Sequence, residues 1–188
     1  MTDARTGRDV VDVLTADHRE VQELLQQLQA TDDAEQRRDM ADTAIGELVR
    51  HSVAEEMYVY PVMREHLPNG EEAVQHDVEE HKELERTMRG LEGVDASEPR
   101  FVELVRELED ELRHHVQNEE TEQFPMLRAR VPRDTLVELR EKVETAKKIA
   151  PTRPHPAAPN SEVFHKLVGP GVGLVDRLRD KLSGRSTG

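Results

Sequence analysis

The chain repeats one phrase, and that repeat restricts its fold more than any other feature. Residues 51–63 read His-Ser-Val-Ala-Glu-Glu-Met-Tyr-Val-Tyr-Pro-Val-Met, and residues 115–127 read His-Val-Gln-Asn-Glu-Glu-Thr-Glu-Gln-Phe-Pro-Met-Leu, so His, Glu-Glu and aromatic-Pro recur at the same offsets. A shorter phrase, Asp17-His18-Arg19-Glu20-Val21, returns 63 residues later as Glu80-His81-Lys82-Glu83-Leu84, while His51 and His115 stand 64 apart. Two related halves follow, each giving a lone His and then a His-x-x-x-Glu. The first supplies His18, His51 and Glu55; the second supplies His81, His115 and Glu119. Four imidazoles and two carboxylates brought together make a metal-ligand set. With no cysteine in the chain, any metal must be held by nitrogen and oxygen.

Around these phrases the apolar residues recur with the period of a helix. Val10, Val11, Leu14, Val21, Leu24, Leu25 and Leu28 predict an amphipathic helix from about residue 8 to 29, with His18 on its apolar stripe. Thr31-Asp32-Asp33 supplies a turn and a cap for a second helix over about 34–65, which Pro61 is expected to bend or end. After the turn Leu67-Pro68-Asn69-Gly70, a third helix over about 71–91 carries Val74, Val78, His81, Leu84 and Met88. A fourth opens at Ser97-Glu98-Pro99 and runs through His115 to Phe124-Pro125, and a fifth covers about 133–149. Short connections make an all-α, antiparallel up-down four-helix bundle the natural packing, with an additional C-terminal helix. Three Phe, two Tyr and no Trp among many Leu, Glu and Arg favour helices over a β-sandwich.

Domain organisation follows. Residues 1–150 are expected to form the bundle, 151–160 a Pro-rich linker, and 161–188 a basic, amphipathic or disordered flexible tail. That last region draws on six Lys and Arg against three Asp and Glu over 151–188. The net charge of −14 argues against nucleic acid as the partner of the folded part. No apolar leader or transmembrane segment is visible, so a soluble cytoplasmic protein is expected.

Each residue of an α-helix turns about 100°, so His51 and Glu55 point within about 40° of one another, as do His115 and Glu119. Each pair can grip one metal from a single helix, with a second carboxylate oxygen left for a neighbouring ion. His18 and His81 come from the other two helices, and a pseudo-two-fold brings equivalent ligands together at mid-bundle as a dinuclear site. A lone His on an apolar face is more often a hydrogen-bonded core residue than a ligand. Four at matched repeat positions, beside two glutamates, would bury polar groups repeatedly with no common reason unless they share an ion.

These motifs, Asp17-His18, His51 to Glu55-Glu56 through Tyr60-Pro61, Glu80-His81, and His115 to Glu119-Glu120 through Phe124-Pro125, resemble the hemerythrin-like, or HHE cation-binding, family over about residues 8–130. The resemblance implies a non-haem di-iron centre: two Fe ions with Glu55 and Glu119 bridging them, together with an oxo, hydroxo or water bridge. It also implies O2, H2O2 or NO as the small ligand. In hemerythrins a further His precedes the residue matching His81 by one turn; here that position is Asp77. Asp77 could act as a carboxylate ligand, or that position could lie open.

His76 is five residues from His81, about 140° round the helix, and could ligate only through a local bulge. Tyr58, seven residues after His51, and its repeat partner Glu122 fall on the same helical face as the ligands; the competing reading of Tyr58 is a core phenol. Glu56 and Glu120 read as surface groups or as carboxylates that orient an imidazole. His66, His114, His155 and His165 have no repeat partners and read as solvent-facing.

Fewer nitrogen ligands than in a five-histidine site favour the ferric state, and so turnover or sensing over reversible oxygenation. The expected function is a di-iron protein that binds, senses or detoxifies O2, peroxide or nitric oxide. A di-iron peroxidase or oxidase with catalase-like turnover is the enzymatic alternative, although ferritin-like bundles use Glu-x-x-His. A third alternative is a structural or interaction protein that contacts a membrane surface or protein partner through its tail. The oligomeric state is open, and zinc hydrolysis lacks a His-Glu-x-x-His motif.

Overall fold

A computed structural model describes residues 7–154, and all of the regular structure within them is helical. Seven α-helices lie along five rods: α1 (Val10–Gln29), α2 (Ala34–Ala54) continuing through a π-helical turn (Glu55–Val59) into α3 (Tyr60–His66), and α4 (Gly70–Glu92). The fourth rod is α5 (Pro99–Asn118), a second π-helical turn (Glu119–Gln123) and α6 (Phe124–Arg130), and the fifth is α7 (Arg133–Ile149). The α1, α2, α4 and α5 rods pack in a closed ring as the antiparallel up-down bundle, and α7 lies outside it across α1, α2 and the first π turn.

Local chemistry fixes the ends. Asp9 caps α1 through a reciprocal box, accepting from the Asp12 amide at 3.2 Å while its own amide donates to Asp12 at 2.9 Å. Arg128 of α6 then donates to both carboxylates, to Asp9 at 2.9 and 3.0 Å and to Asp12 at 2.6 Å, tying the start of the first half to the end of the second. Asp33 caps α2 by accepting from the Gln36 amide at 2.8 Å. Inside the ring, Leu14, Leu25, Leu28, Ile45, Phe101, Leu108 and Leu112 are fully buried, each stabilising the fold by about 1.5–3 kcal/mol.

Pro61 and Pro125 do not end their rods. In each π turn the ladder is already rearranged: the Tyr60 amide bonds to the Glu55 carbonyl, and the Phe124 amide to the Glu119 carbonyl. Each proline sits at the start of the α-helix that follows, where its missing N–H costs least. Glycine is required at the start of α4: a Cβ on Gly70 would lie 2.1 Å from the Met63 carbonyl oxygen and 2.8 Å from the Arg64 Cα, so only a bare backbone fits against the end of α3.

Of the expected linker, Thr152 is buried and Arg153 pairs with Glu92 of α4 at 3.3 Å. Residues 155–160 and the tail over 161–188 lie outside the described residues. Among the described residues, no helix is long and apolar enough to cross a membrane.

Candidate metal centre

The six residues singled out by the repeat meet at mid-bundle, each 3 % exposed or less. Within each half the two imidazoles face one another. His18 Nε2 lies 3.2 Å from His51 Nε2, and the His81 and His115 ring centroids are 4.9 Å apart. The glutamates join these pairs across the pseudo-two-fold. Glu55 Oε2 is 3.2 Å from His51 Nε2 and 3.4 Å from His81 Nε2; Glu119 Oε2 is 3.2 Å from His18 Nε2 and 3.5 Å from His115 Nε2. Two sets of atoms close enough to share an ion result: His18, His51, His115 and Glu119 in one, and Glu55, His81 and His115 in the other.

The outer nitrogen of every imidazole is held by a carboxylate. His51 Nδ1 donates to Asp17 at 3.3 Å and His115 Nδ1 to Glu80 at 2.9 Å, each within its own half. His18 Nδ1 donates to Glu120 at 2.9 Å and His81 Nδ1 to Glu56 at 3.0 Å, each reaching into the opposite half. A carboxylate only accepts, so each Nδ1 carries its proton and each Nε2 is directed inward. Proteins that ligate metals through imidazole orient and enrich the ring in this way.

The π turns explain how aromatics reach the centre. Tyr60 is nine residues after His51, which in an unbroken α-helix would set it about 180° away. The wider turn at Glu55–Val59 carries it back, so that the Tyr60 hydroxyl lies 3.2 and 3.3 Å from the two His81 ring nitrogens and its ring stacks on the imidazole at 5.7 Å. Phe124, its repeat partner, stacks on His18 at 5.8 Å and 6°.

The symmetry fails at one buried pair. Asp77, one turn before His81, is fully buried and accepts from Gln123 Nε2 at 2.8 Å. The corresponding residues of the first half are Leu14 and Val59, both buried and apolar. The second half therefore adds a carboxylate where the first has a leucine.

Electrostatics favour the protonated form of His18, His51 and His81 in the metal-free centre. Burial opposes a charged His51, but Glu55 and Asp17 outweigh it and raise its pKa to about 10. Burial likewise opposes charge on His81 and His18. The adjacent carboxylates of Glu55 and Glu56 hold His81 well above its ordinary value, and those of Glu119 and Glu120 hold His18 above its own. Burial would raise Glu55; the charges of His51 and His81 instead hold it well below the usual carboxylate range. Burial and the charge of Glu119 push Asp77 up to about 7.

The donor set fits a cation. No hydrogen bond satisfies Glu55 Oε1 and Oε2, Glu119 Oε2, His115 Nε2 or Asp77 Oδ2, all of them buried, and such atoms are costly unless something else pairs them. Divalent ions binding imidazole and carboxylate would displace the protons and pair these atoms together.

The other residues named from the sequence lie outside the inner sets. Tyr58 is partly buried; Glu122 and His76 are exposed. His76 groups instead with Asp77 and Glu80. Asp17, Glu80, Tyr60, Phe124 and Gln123 were given no role by sequence reasoning. Asp17 and Glu80 are visible in the repeated acid-His dipeptide, and Tyr60 and Phe124 in the aromatic-Pro pair; Gln123 gives no repeat signal, since its counterpart is Val59.

A four-helix bundle with paired histidines and glutamates at its middle defines a cation-binding helical protein of the hemerythrin type. The family model described as "Hemerythrin HHE cation binding domain" matches residues 9–127, and the chain belongs to that family. It is 29 % identical over 174 residues to an uncharacterized hemerythrin-like protein of Schizosaccharomyces pombe, covering 92 % of this chain and 86 % of that one. It is also 29 % identical over 120 residues to a protein of Nostoc named a DNA nickase, covering 64 % of this chain and 34 % of that protein. No solved structure matches.

Proposed function

We propose that the chain is a non-haem di-iron protein that binds, senses or detoxifies a small oxidant such as O2, peroxide or nitric oxide. The observation that carries this reading is the set of four imidazoles whose Nδ1 atoms are all held by carboxylates while their Nε2 atoms face two buried glutamates. His18 and His51 would hold one ion, His81 and His115 the other, with Glu55 and Glu119 between them. Iron bound there would supply reversible redox chemistry and an exchangeable position for the oxidant.

The chain's own residues do the rest. Asp17, Glu56, Glu80 and Glu120 fix the imidazoles and raise their basicity. Phe124 and Tyr60 cover His18 and His81 and exclude water, and the Tyr60 hydroxyl brings an O–H to 3.2 Å from His81 Nε2. Asp77 accepts from Gln123 through Oδ1, and burial beside Glu119 favours its neutral form. A cation beside it would favour the carboxylate instead and make Oδ2 a further donor. An added carboxylate on one side only favours the ferric state there, and so turnover or sensing over simple carriage. The charge of −14 weighs against nucleic acid as the target.

The test is metal content together with the near-ultraviolet and visible spectrum of iron-replete protein, before and after azide or peroxide. About two irons per chain with charge-transfer bands that respond to the anion are expected. Protein that refuses ferrous reconstitution under anaerobic conditions would overturn the reading.

A further inference from the structure

The two sides of the centre differ on the outside as well as within. On the first side, Lys147 of α7 places Nζ 2.6 Å from Asp17 Oδ1, so a fixed positive charge stands behind His51. On the second side, the equivalent carboxylate, Glu80, lines a cavity of about 450 Å³ along α4, α5 and the second π turn. Glu72, His76, Glu122 and Gln123 line it too, and no lysine or arginine is among the described residues that do.

We propose that His76 and Glu80 of the cavity wall, with Asp77 buried behind them, form an outer cation-binding site, taking a divalent transition metal one step from the His81–His115 pair. His76 Nδ1 lies 3.6 Å from Glu80 Oε2 and 3.8 Å from Asp77 Oδ1, and one donor atom of each residue falls within 4.8 Å of the others. One imidazole and two carboxylates, with water completing the shell, suit Fe2+, Co2+ or Zn2+. The three residues form a gradient of depth. His76 is 58 % exposed, Glu80 17 % and Asp77 0 %.

A protonated His76 paired with Glu80 along the helix would account for that one contact. It would leave one buried atom of the cavity wall unanswered: Oε1 of Gln123, a side chain 3 % exposed that itself lines the cavity. A cation with its waters at this point lies against the Oδ1 side of Asp77 and gives the Gln123 carbonyl a donor. Glu80 connects the outer site to the inner one directly, since Oε2 also accepts from His115 Nδ1 at 2.9 Å. Only the destination of the ion rests on the di-iron reading; the outer site stands on its own donors.

The experiment is an equilibrium titration of the full chain with Co2+, followed by visible absorption and metal analysis, on the wild type, His76→Ala and His114→Ala. His114 lines the same cavity but lies outside the trio, and both histidines are exposed, so neither change threatens the fold. The wild type and His114→Ala are expected to bind one more ion per chain than His76→Ala, or to bind their weakest ion at least about tenfold more tightly. Equal number and affinity in wild type and His76→Ala overturns the proposal, as does equal weakening in both variants, which would mean a diffuse field of charge. If the wild type takes up no inner ions the di-iron reading falls, and the His76-dependent ion is still scored by itself.

Discussion

Glu56 Oε1 lies 3.0 Å from His81 Nδ1, so a carboxylate at the end of the first half holds an inward-facing histidine of the second. Its repeat partner Glu120 holds His18 of the first half at 2.9 Å. Neither glutamate belongs to the inner clusters, yet both set where an Nε2 points. Glu56→Ala and Glu120→Ala should each lower metal affinity about 10- to 100-fold with helicity retained. Competition against a chelator of known affinity measures this, and unchanged affinity in both would count against carboxylate orientation of the rings.

Loss of a ligand should be more severe than loss of its holder. His115→Ala and Glu119→Ala should each remove at least one ion per chain, whereas His114→Ala, an exposed neighbour of His115, should keep both. Metal analysis of the purified variants decides. Equal content in all three would make the buried histidines structural.

The metal-free chain should lose stability as pH rises. His51 binds its proton more tightly folded, near pH 10, than at its ordinary 6.5, so its contribution is complete below about 6.5 and lost on the way to 10. Asp77 adds to the same trend: folded it keeps a proton up to about 7 against an ordinary 3.8, so stability falls across that interval too. Glu55 works at the acid end, its contribution complete above its ordinary 4.5 and lost as pH drops toward its depressed value. Thermal unfolding of the metal-free protein at pH 5, 7 and 9 should show falling midpoints, and a rise toward pH 9 would contradict the charge assignments. Metal-loaded protein should not follow this curve, because ions replace the protons.

Copying the first half into the second offers a sharper test of Asp77. The double change Asp77→Leu with Gln123→Val reproduces the Leu14 and Val59 pair and removes two unsatisfied buried atoms. It should stabilise the metal-free chain by about 1–4 kcal/mol at pH 8, read from denaturant unfolding. It should also weaken the ion at the His81–His115 side. Destabilisation together with normal metal binding would show that Asp77 serves packing alone.

Gly70→Ala probes the fold away from the centre. Its Cβ would press on the backbone of α3, which cannot give way as a side chain would, so a loss of about 1–3 kcal/mol is expected. Chemical denaturation with unchanged metal content would confirm that the cost is steric.

Much of this architecture was legible from residue spacing. The stripe of Val10, Leu14, Val21 and Leu25 and the capping Asp33 place their helices nearly to the residue, and the matched repeats bring out all six inward-facing groups. The π turns were not legible, because they change the phase of a helix without any composition signal. Spacing therefore put Tyr58 at the ligand face, whereas Tyr60 is the tyrosine that meets His81. The roles of Asp17 and Glu80 were hidden for another reason: an acid next to a histidine points elsewhere on its own helix, and only the packing of neighbouring rods turns it onto the other histidine.

The exchange of Glu56 and Glu120 across the pseudo-two-fold bears on how such a chain could arise. A single helical hairpin carrying one copy of the phrase would own a lone His and a His-x-x-x-Glu, but the carboxylate that steadies its lone histidine belongs to the other copy. Such a forerunner could have completed its imidazoles only by pairing with a twin. A single chain lets the two copies differ: the second half carries Asp77 and an open flank, the first a lysine-bearing helix over its back, a division of labour that two identical hairpins could never hold.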